Sequence, residues 1–126
     1  MYENLTPNIM VKNVKETMKF YEEKLGFQKV LSVPESGEKF DFAIISKDKI
    51  TIMFQEQENL TQEYPSLKTE EIKPAFTLFI NVKNIEELYQ SLQNKVELAS
   101  TLHQTFYGRK EFAIFDNNGN ILTLAE

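Results

Sequence analysis

A short repeat constrains the fold of this chain more than any other feature. Val11-Lys12-Asn13-Val14 is followed 71 positions later (84 minus 13) by Val82-Lys83-Asn84-Ile85. In each copy the Asn follows a run with strand character and precedes a Glu three positions on, which is typical of the start of a helix. The repeat therefore predicts an internal duplication, in which a strand-helix-strand-strand-strand unit occurs twice.

The first copy has clear start and stop signals. Asn13 is a candidate N-cap, apolar residues follow at helical spacing, and Gly26 is a natural stop after Leu25. Apolar runs separated by turn residues predict the strands of this copy, at 5–11, 27–33, 40–46 and 50–55.

The second copy ends in a predicted β-hairpin. Residues 116–120 read Asp-Asn-Asn-Gly-Asn, and Asn118 and Gly119 tolerate the positive φ that a tight reversal needs. The flanking runs, Lys110–Phe115 and Ile121–Ala125, have strand-forming composition. Before the hairpin, the pattern predicts a strand over 76–82, a helix after Asn84 and a short strand over 96–99.

The stretch between the two copies is polar and has no clear period. Residues 57–73 are rich in Glu, Gln and Thr, so the sequence favours a linker there. The predicted organisation is a single domain over 1–126, with module 1 at about 1–56 and module 2 at about 74–126. Within the linker, 64–67 could dock as a local anchor or belong to a mobile lid over a ligand.

Composition narrows the classes of function. The 126 residues include no cysteine, which excludes disulfides, thiolate metal sites and a cysteine nucleophile. The net charge of −5, without a basic stripe, argues against a nucleic-acid partner. No leader-like segment and no apolar run of membrane-spanning length is present, so we expect a cytoplasmic protein with no membrane partner.

Two motifs and the duplicated plan together resemble the glyoxalase/bleomycin-resistance family, the vicinal oxygen chelate superfamily. The motifs are Phe20-Tyr21-x-x-x-Leu25-Gly26-Phe27 and Gly108-Arg109-Lys110-Glu111-Phe112…Asp116-x-x-Gly119-Asn120. The resemblance covers nearly the whole chain. It implies an α+β fold of two βαβββ modules that form a cup-shaped mixed sheet with helices outside, and it implies a homodimer.

The resemblance also locates the positions at which metalloenzymes of this superfamily hold their metal. They place His or Gln on the first strand of each module, seven positions before the capping residue, and Glu on the final strand. These positions are Thr6, Thr77 and Thr123 in this chain. A neutral hydroxyl has little affinity for a divalent cation without carboxylate or imidazole help. We therefore expect no metal, no other cofactor and no catalytic residue of the family's type.

Strand alternation predicts which side chains face the cup. The predicted ligand-binding residues are Asn8, Met10, Met53, Gln55, Thr77, Phe79, Asn81, Arg109 and Thr123. Met and Phe would contact the ligand or fill the core, and the amides would orient the ligand or be solvated.

The charged candidates have simpler interpretations. Arg109 could pair with Glu111 on the same face of a strand, or could hold an anionic ligand. His103, the only histidine, is expected in a solvent-exposed loop. Glu56, Glu58 and Glu63 are expected to form a solvated acidic rim that attracts a cationic ligand.

The leading hypothesis is a metal-independent small-molecule-binding protein that resembles bleomycin-resistance-type sequestering members. Its partners would be a cationic or aromatic small molecule and a second copy of the chain. The alternative is a glyoxalase-class lyase or isomerase, or a dioxygenase-like metalloenzyme, with a non-standard metal site that uses Asn8, Asp41 or Glu111. A regulatory module that binds a protein at the cup edge is a third possibility. Whether the chain catalyses a reaction stays open at this point.

Overall fold

The computed structural model describes all residues of the chain, Met1–Glu126. They form two compact units, Met1–Ile72 and Lys73–Glu126. Each unit has a four-stranded mixed sheet, and neither sheet closes on itself. The predicted α+β class and the two βαβββ modules are thus confirmed. No helix combines the length and apolar character needed to cross a membrane.

The first unit follows the predicted order and adds two elements at its end. Its elements are β1 (Asn8–Val11), α1 (Val14–Leu25), β2 (Gln28–Val33), β3 (Phe42–Lys47), β4 (Ile50–Glu56), α2 (Gln57–Glu63) and a short 3-10 helix (Pro65–Leu67). The strand order is β1-β4-β3-β2, in which β1 runs parallel to β4 and the other pairs are antiparallel.

The start and stop signals predicted from the sequence determine where α1 begins and ends. The Asn13 side chain accepts a hydrogen bond from the backbone N–H of Glu16 at 3.0 Å, which satisfies one free donor of the first turn. Gly26 ends the helix at φ 76°, a left-handed conformation that favours glycine. One face of the helix, with Tyr21 fully buried, packs against the sheet, where the Tyr21 ring lies 5.0 Å from that of Phe54.

The second unit repeats this arrangement. Its elements are β5 (Thr77–Asn81), α3 (Ile85–Leu92), β6 (Leu98–Gln104), β7 (Lys110–Phe115) and β8 (Ile121–Ala125). The order β5-β8-β7-β6 has a parallel β5–β8 pair, as in the first unit. The predicted hairpin forms with the predicted bounds, and Asp116 Oδ1 accepts from the N–H groups of Asn118 and Asn120 at the turn.

Some element bounds differ from the prediction. β1 begins at Asn8 rather than at residue 5, and β6 extends to Gln104, beyond the predicted 99. β6 carries two register shifts against β7, which interrupt the alternation from which strands are recognised.

The main difference lies in the stretch predicted as a linker. Residues 57–63 form α2, where the sequence indicates no helix. Its N-cap is Glu56, whose carboxylate accepts from the N–H groups of Glu58 and Asn59 at 2.7 and 3.1 Å. Leu60 is the one buried residue of this helix, so an amphipathic period is hardly visible in its sequence.

The start of α3 also differs. Asn84 has φ 58° and makes no capping hydrogen bond through its side chain. The Glu126 carboxylate instead accepts from the N–H groups of Asn84 and Ile85 at 3.1 and 3.0 Å. The repeat therefore locates the start of this helix but not the residue that caps it.

Candidate functional site

The face of the first sheet opposite α1, here called the first open face, mixes apolar side chains with amides. Ile9, Val11, Ile52 and Phe54 are buried on the α1 side, as alternation predicts. The residues of the opposite side include Asn8, Met10, Phe42, Ile44, Met53 and Gln55. All four apolar members of this set are partly exposed.

Gln55 is the centre of a hydrogen-bond network on this face. It is 7% exposed, and its side-chain oxygen accepts from the Asn8 amide at 2.8 Å. Its amide nitrogen donates to Asn59 at 2.7 Å and to Glu63 at 3.1 Å, both on α2. Gln55 therefore joins β1 and β4 to α2, and both N–H donors of its side chain are already used.

The corresponding face of the second sheet, the second open face, is arranged in three rows across β7, β8 and β5. One row is Glu111–Ala125–Asn81, the next is Ala113–Thr123–Phe79, and the third is Phe115–Ile121–Thr77. Thr77, Phe79, Asn81 and Thr123 thus share one face, as predicted. Phe79 is 52% exposed, so its ring is available for contact.

Arg109 lies just before β7 and reaches the far strand of this face. Its Nη2 donates to Asn81 Oδ1 at 2.6 Å, and its Cζ lies 5.9 Å from the centre of the Phe79 ring. Because β8 separates β7 from β5, the side chain crosses β8 near Ala125, the partner of Asn81 in register. The Arg109 N–H donates to Thr105 Oγ1 at 3.0 Å, which fixes the backbone from which the side chain starts.

The predicted ion pair between Arg109 and Glu111 does not form. Glu111 is 8% exposed and accepts a hydrogen bond from the Tyr107 hydroxyl. This hydrogen bond, with desolvation and the charge of Glu111, raises the pKa of Tyr107 above its ordinary value. The Tyr107 hydroxyl therefore satisfies Glu111, and Arg109 turns to Asn81.

The other charged candidates divide between structural and exposed roles. The prediction of a solvated acidic rim is wrong for Glu56, which is 8% exposed and caps α2. Glu63 is exposed but accepts from Gln55, and Glu58 is exposed as expected. His103 is exposed as predicted, with its Nδ1 2.8 Å from the carbonyl oxygen of Thr101. It lies on β6 rather than in a loop.

The positions that hold metal in the superfamily's metalloenzymes carry weak donors here. Thr123 and Thr77 lie in neighbouring rows of the second open face. In the first sheet Met53 pairs with Asn8 as Thr123 pairs with Phe79, so Met53 occupies the equivalent position (offsets 70, 123 minus 53, and 71, 79 minus 8). The structure has no group of three His, Cys, Asp or Glu side chains suited to a metal ion. Hydroxyl and thioether groups do not fit a resident divalent cation.

Sequence reasoning missed part of both faces. Phe42 and Ile44 lie beside Gln55 and Met53 on the first open face, and the buried Ala43 and Ile45 give the alternation that could have located them. Tyr107 was missed because it lies in the loop between β6 and β7, where alternation gives no signal.

Comparison with known proteins decides the family. The family model described as "Glyoxalase/Bleomycin resistance protein/Dioxygenase superfamily" matches residues 5–124. The chain belongs to this superfamily. No curated protein matches it.

Solved structures share the fold at low sequence identity. TioX from Micromonospora sp. ML1 is 11% identical with a TM-score of 0.76, and the match covers 99% of this chain and 98% of TioX. A protein of unknown function from Agrobacterium tumefaciens is 16% identical with a TM-score of 0.78, over 100% and 94% of the two chains. A family enzyme from Burkholderia phytofirmans is 19% identical with a TM-score of 0.72, over 95% and 94%. At these identities the likeness concerns the fold alone.

Proposed function

We propose that this superfamily member is a metal-independent, cytoplasmic small-molecule-binding protein that acts as a homodimer, like bleomycin-resistance-type sequestering proteins. The observation that carries the proposal is the chemistry of the two open faces. They combine partly exposed apolar side chains with amides and hydroxyls, and the positions equivalent to the superfamily's metal ligands carry Thr or Met. Such faces suit a planar or amphipathic ligand, which apolar contact holds and a few polar groups orient.

The proposed ligand is aromatic rather than simply cationic. The expectation of a cationic ligand depends on free carboxylates, and three of the carboxylates beside the open faces already accept hydrogen bonds. Glu56 caps a helix, Glu63 accepts from Gln55, and Glu111 accepts from Tyr107. Phe79 and Met53 offer exposed or partly exposed apolar surface that is not engaged in hydrogen bonds.

A metalloenzyme of the glyoxalase or dioxygenase type is the second candidate. The observation that favours it is Glu111, a largely buried carboxylate on the second open face. One carboxylate and neighbouring hydroxyls make a weaker donor set than the three or more strong ligands of catalytic metal sites.

Thermal unfolding of EDTA-treated protein, alone and with Ni²⁺, Zn²⁺, Mn²⁺ or Mg²⁺, separates the two candidates. A metal that binds only the folded state at a hundredfold excess over its Kd adds about 2.7 kcal/mol, which raises the Tm by several degrees. We expect no saturable shift with any of the four. A shift that saturates with one metal would contradict the proposal and direct attention to Glu111. Sedimentation equilibrium tests the homodimer separately.

A further inference from the structure

Arg109 is a cation without a charged partner in its unit. Its side chain donates to the neutral amide of Asn81, and no carboxylate of the second unit forms an ion pair with it. The adjacent Lys110, by contrast, is paired with Glu86 in the first turn of α3, on the other side of the sheet. Glu111, a carboxylate on the same face, accepts from Tyr107.

The guanidinium keeps most of its hydrogen-bonding capacity. An arginine side chain has five N–H donors in a planar fork, and a single one is used, toward Asn81. Carboxylates match this fork with two parallel hydrogen bonds, so a planar anion is the natural complement of the remaining donors. Asn81 and the Thr105 hydroxyl fix the two ends of the arginine, which reduces the entropy lost when an anion binds.

An apolar surface lies beside this cation. The Phe79 ring lies 5.9 Å from the guanidinium carbon and is 52% exposed. Thr123, its neighbour in the same row, is partly exposed and offers a hydroxyl and a methyl group. A planar ring placed against Phe79 and Thr123 would direct a substituent toward the Arg109 guanidinium, which contacts Asn81 in the adjacent row.

We propose that Arg109, Asn81 and Phe79 form a subsite for an aromatic carboxylate, with Arg109 holding the carboxylate and Phe79 contacting the ring. This proposal rests on the proposed binding function and specifies the charge of its ligand. The chain has a net charge of −5, so long-range attraction does not favour an anion and recognition depends on the local guanidinium.

Three matched probes test the subsite by isothermal titration calorimetry of the full chain. They are 2-naphthoate, the neutral 2-naphthamide and the cationic 2-naphthylmethylammonium, which share a ring and differ in charge. We expect the affinity for naphthoate to be at least roughly tenfold higher than that for naphthamide, because a charge-assisted hydrogen bond is stronger than a neutral one. The cationic probe should bind more weakly than both.

Two charge-matched variants assign the preference to one residue. Arg109→Gln should remove the advantage of naphthoate and leave naphthamide binding within about twofold, since the Phe79 surface remains. Lys110→Gln makes the same charge change at the next residue, whose ammonium pairs with Glu86 away from the open face, and should keep the advantage. Phe79→Leu should lower the affinity for all three probes by a similar factor. The thermal unfolding of each variant verifies that it is folded.

The outcomes distinguish this inference from the broader proposal. Naphthamide binding as tightly as naphthoate, or a preference for naphthoate that survives in Arg109→Gln, would overturn the subsite while leaving the binding function intact. An absence of binding by all three probes would overturn the subsite and would also count against the proposed affinity for aromatic molecules.

Discussion

Gln55 illustrates how much one side chain can contribute to this fold. It is 7% exposed, and its amide makes three side-chain hydrogen bonds, to Asn8 on β1 and to Asn59 and Glu63 on α2. A buried amide is stable only when such partners are present, because a lost partner exposes the full desolvation cost. The geometry therefore indicates that Gln55 attaches α2 to the sheet.

Replacing Gln55 by Met tests this role. Met has similar length and no hydrogen-bonding amide, so Asn8 and Asn59 lose a partner close to buried surface. We expect the free energy of unfolding to fall by about 1–3 kcal/mol, measured by urea denaturation. Gln62→Met, the same change at an exposed position of α2, is the control and should alter stability by less than about 0.5 kcal/mol. Equal effects of the two changes would contradict the network.

At the scale of secondary-structure elements, two helices are capped by a Glu carboxylate that lies at the end of a strand or directly after it. Glu56 ends β4 and caps α2, which follows directly. Glu126 follows β8 and caps α3, which begins 41 residues earlier in the chain. Both carboxylates satisfy free N–H groups of a first turn and are favoured there by the helix dipole.

Removing the Glu56 carboxylate should weaken α2. Glu56→Ala leaves the N–H groups of Glu58 and Asn59 without their acceptor, and we expect a loss of about 0.5–2 kcal/mol in the free energy of unfolding. Glu58→Ala removes an exposed carboxylate from the same turn and serves as the control. Circular dichroism followed through a urea titration measures both, and an equally large loss in Glu58→Ala would contradict capping by Glu56.

The cap at Glu126 predicts a pH dependence. Hydrogen bonds from the backbone N–H groups of Ile85 and Asn84 hold the pKa of Glu126 below its ordinary value of 4.5. A carboxyl with a lowered folded-state pKa stabilises the protein above its unfolded-state pKa, and this contribution disappears as the pH falls through the folded-state value.

The Tm of Glu126→Gln should therefore lie below that of the unmodified chain at pH 7, by a few degrees. The difference should shrink as the pH is lowered from 6 toward 3, because the unmodified chain loses the charged cap that the variant lacks. Differential scanning calorimetry across this range measures the effect. A difference in Tm that stays constant with pH would show that the charge of Glu126 does not cap α3.

These elements also show what sequence reasoning can reach. The start and end of α1 were predictable because Asn13, Glu16 and Gly26 act within a few residues of each other. The cap of α3 was not, because Glu126 meets Asn84 only after the sheet has formed. α2 was missed because its attachment depends on Gln55 rather than on an apolar face.

In the candidate site, too, the sequence predicts local features and not long-range contacts. Alternation placed Thr77, Phe79 and Asn81 on one face correctly, since strand geometry is local. The contact of Arg109 with Asn81 spans 28 residues and depends on the order of β5, β8 and β7. No local pattern could distinguish that contact from the predicted pair with Glu111.

At the scale of the whole molecule, the chain consists of two units whose sheets have the same topology. Both sheets have a parallel outer pair and two antiparallel pairs, and the last strand of each lies between the first and third. The chain passes from one unit to the other within residues 68–76, which contain no helix or strand. Backbone without regular structure opens more readily than the central strands of a sheet.

Amide hydrogen exchange, followed by mass spectrometry, should reveal this difference. We expect peptides from 68–76 to exchange early and peptides from β4 and β8, which have a strand on both sides, to exchange last. The edge strands β2 and β6 should fall between these extremes and act as the internal control. Late exchange of 68–76 would mean that this segment is held by structure outside the elements described.

The small size of the Ala125 side chain is relevant to homologues as well as to this chain. Ala125 lies on β8 opposite Asn81, beneath the path by which Arg109 reaches that amide, and it is fully buried. We expect that a branched side chain in place of this methyl group would hold the arginine away from Asn81. The ligand preference of the proposed subsite would thus change through a residue that never contacts the ligand. Tracing how specificity diverges in such proteins requires attention to the supporting positions as well as to the contacts.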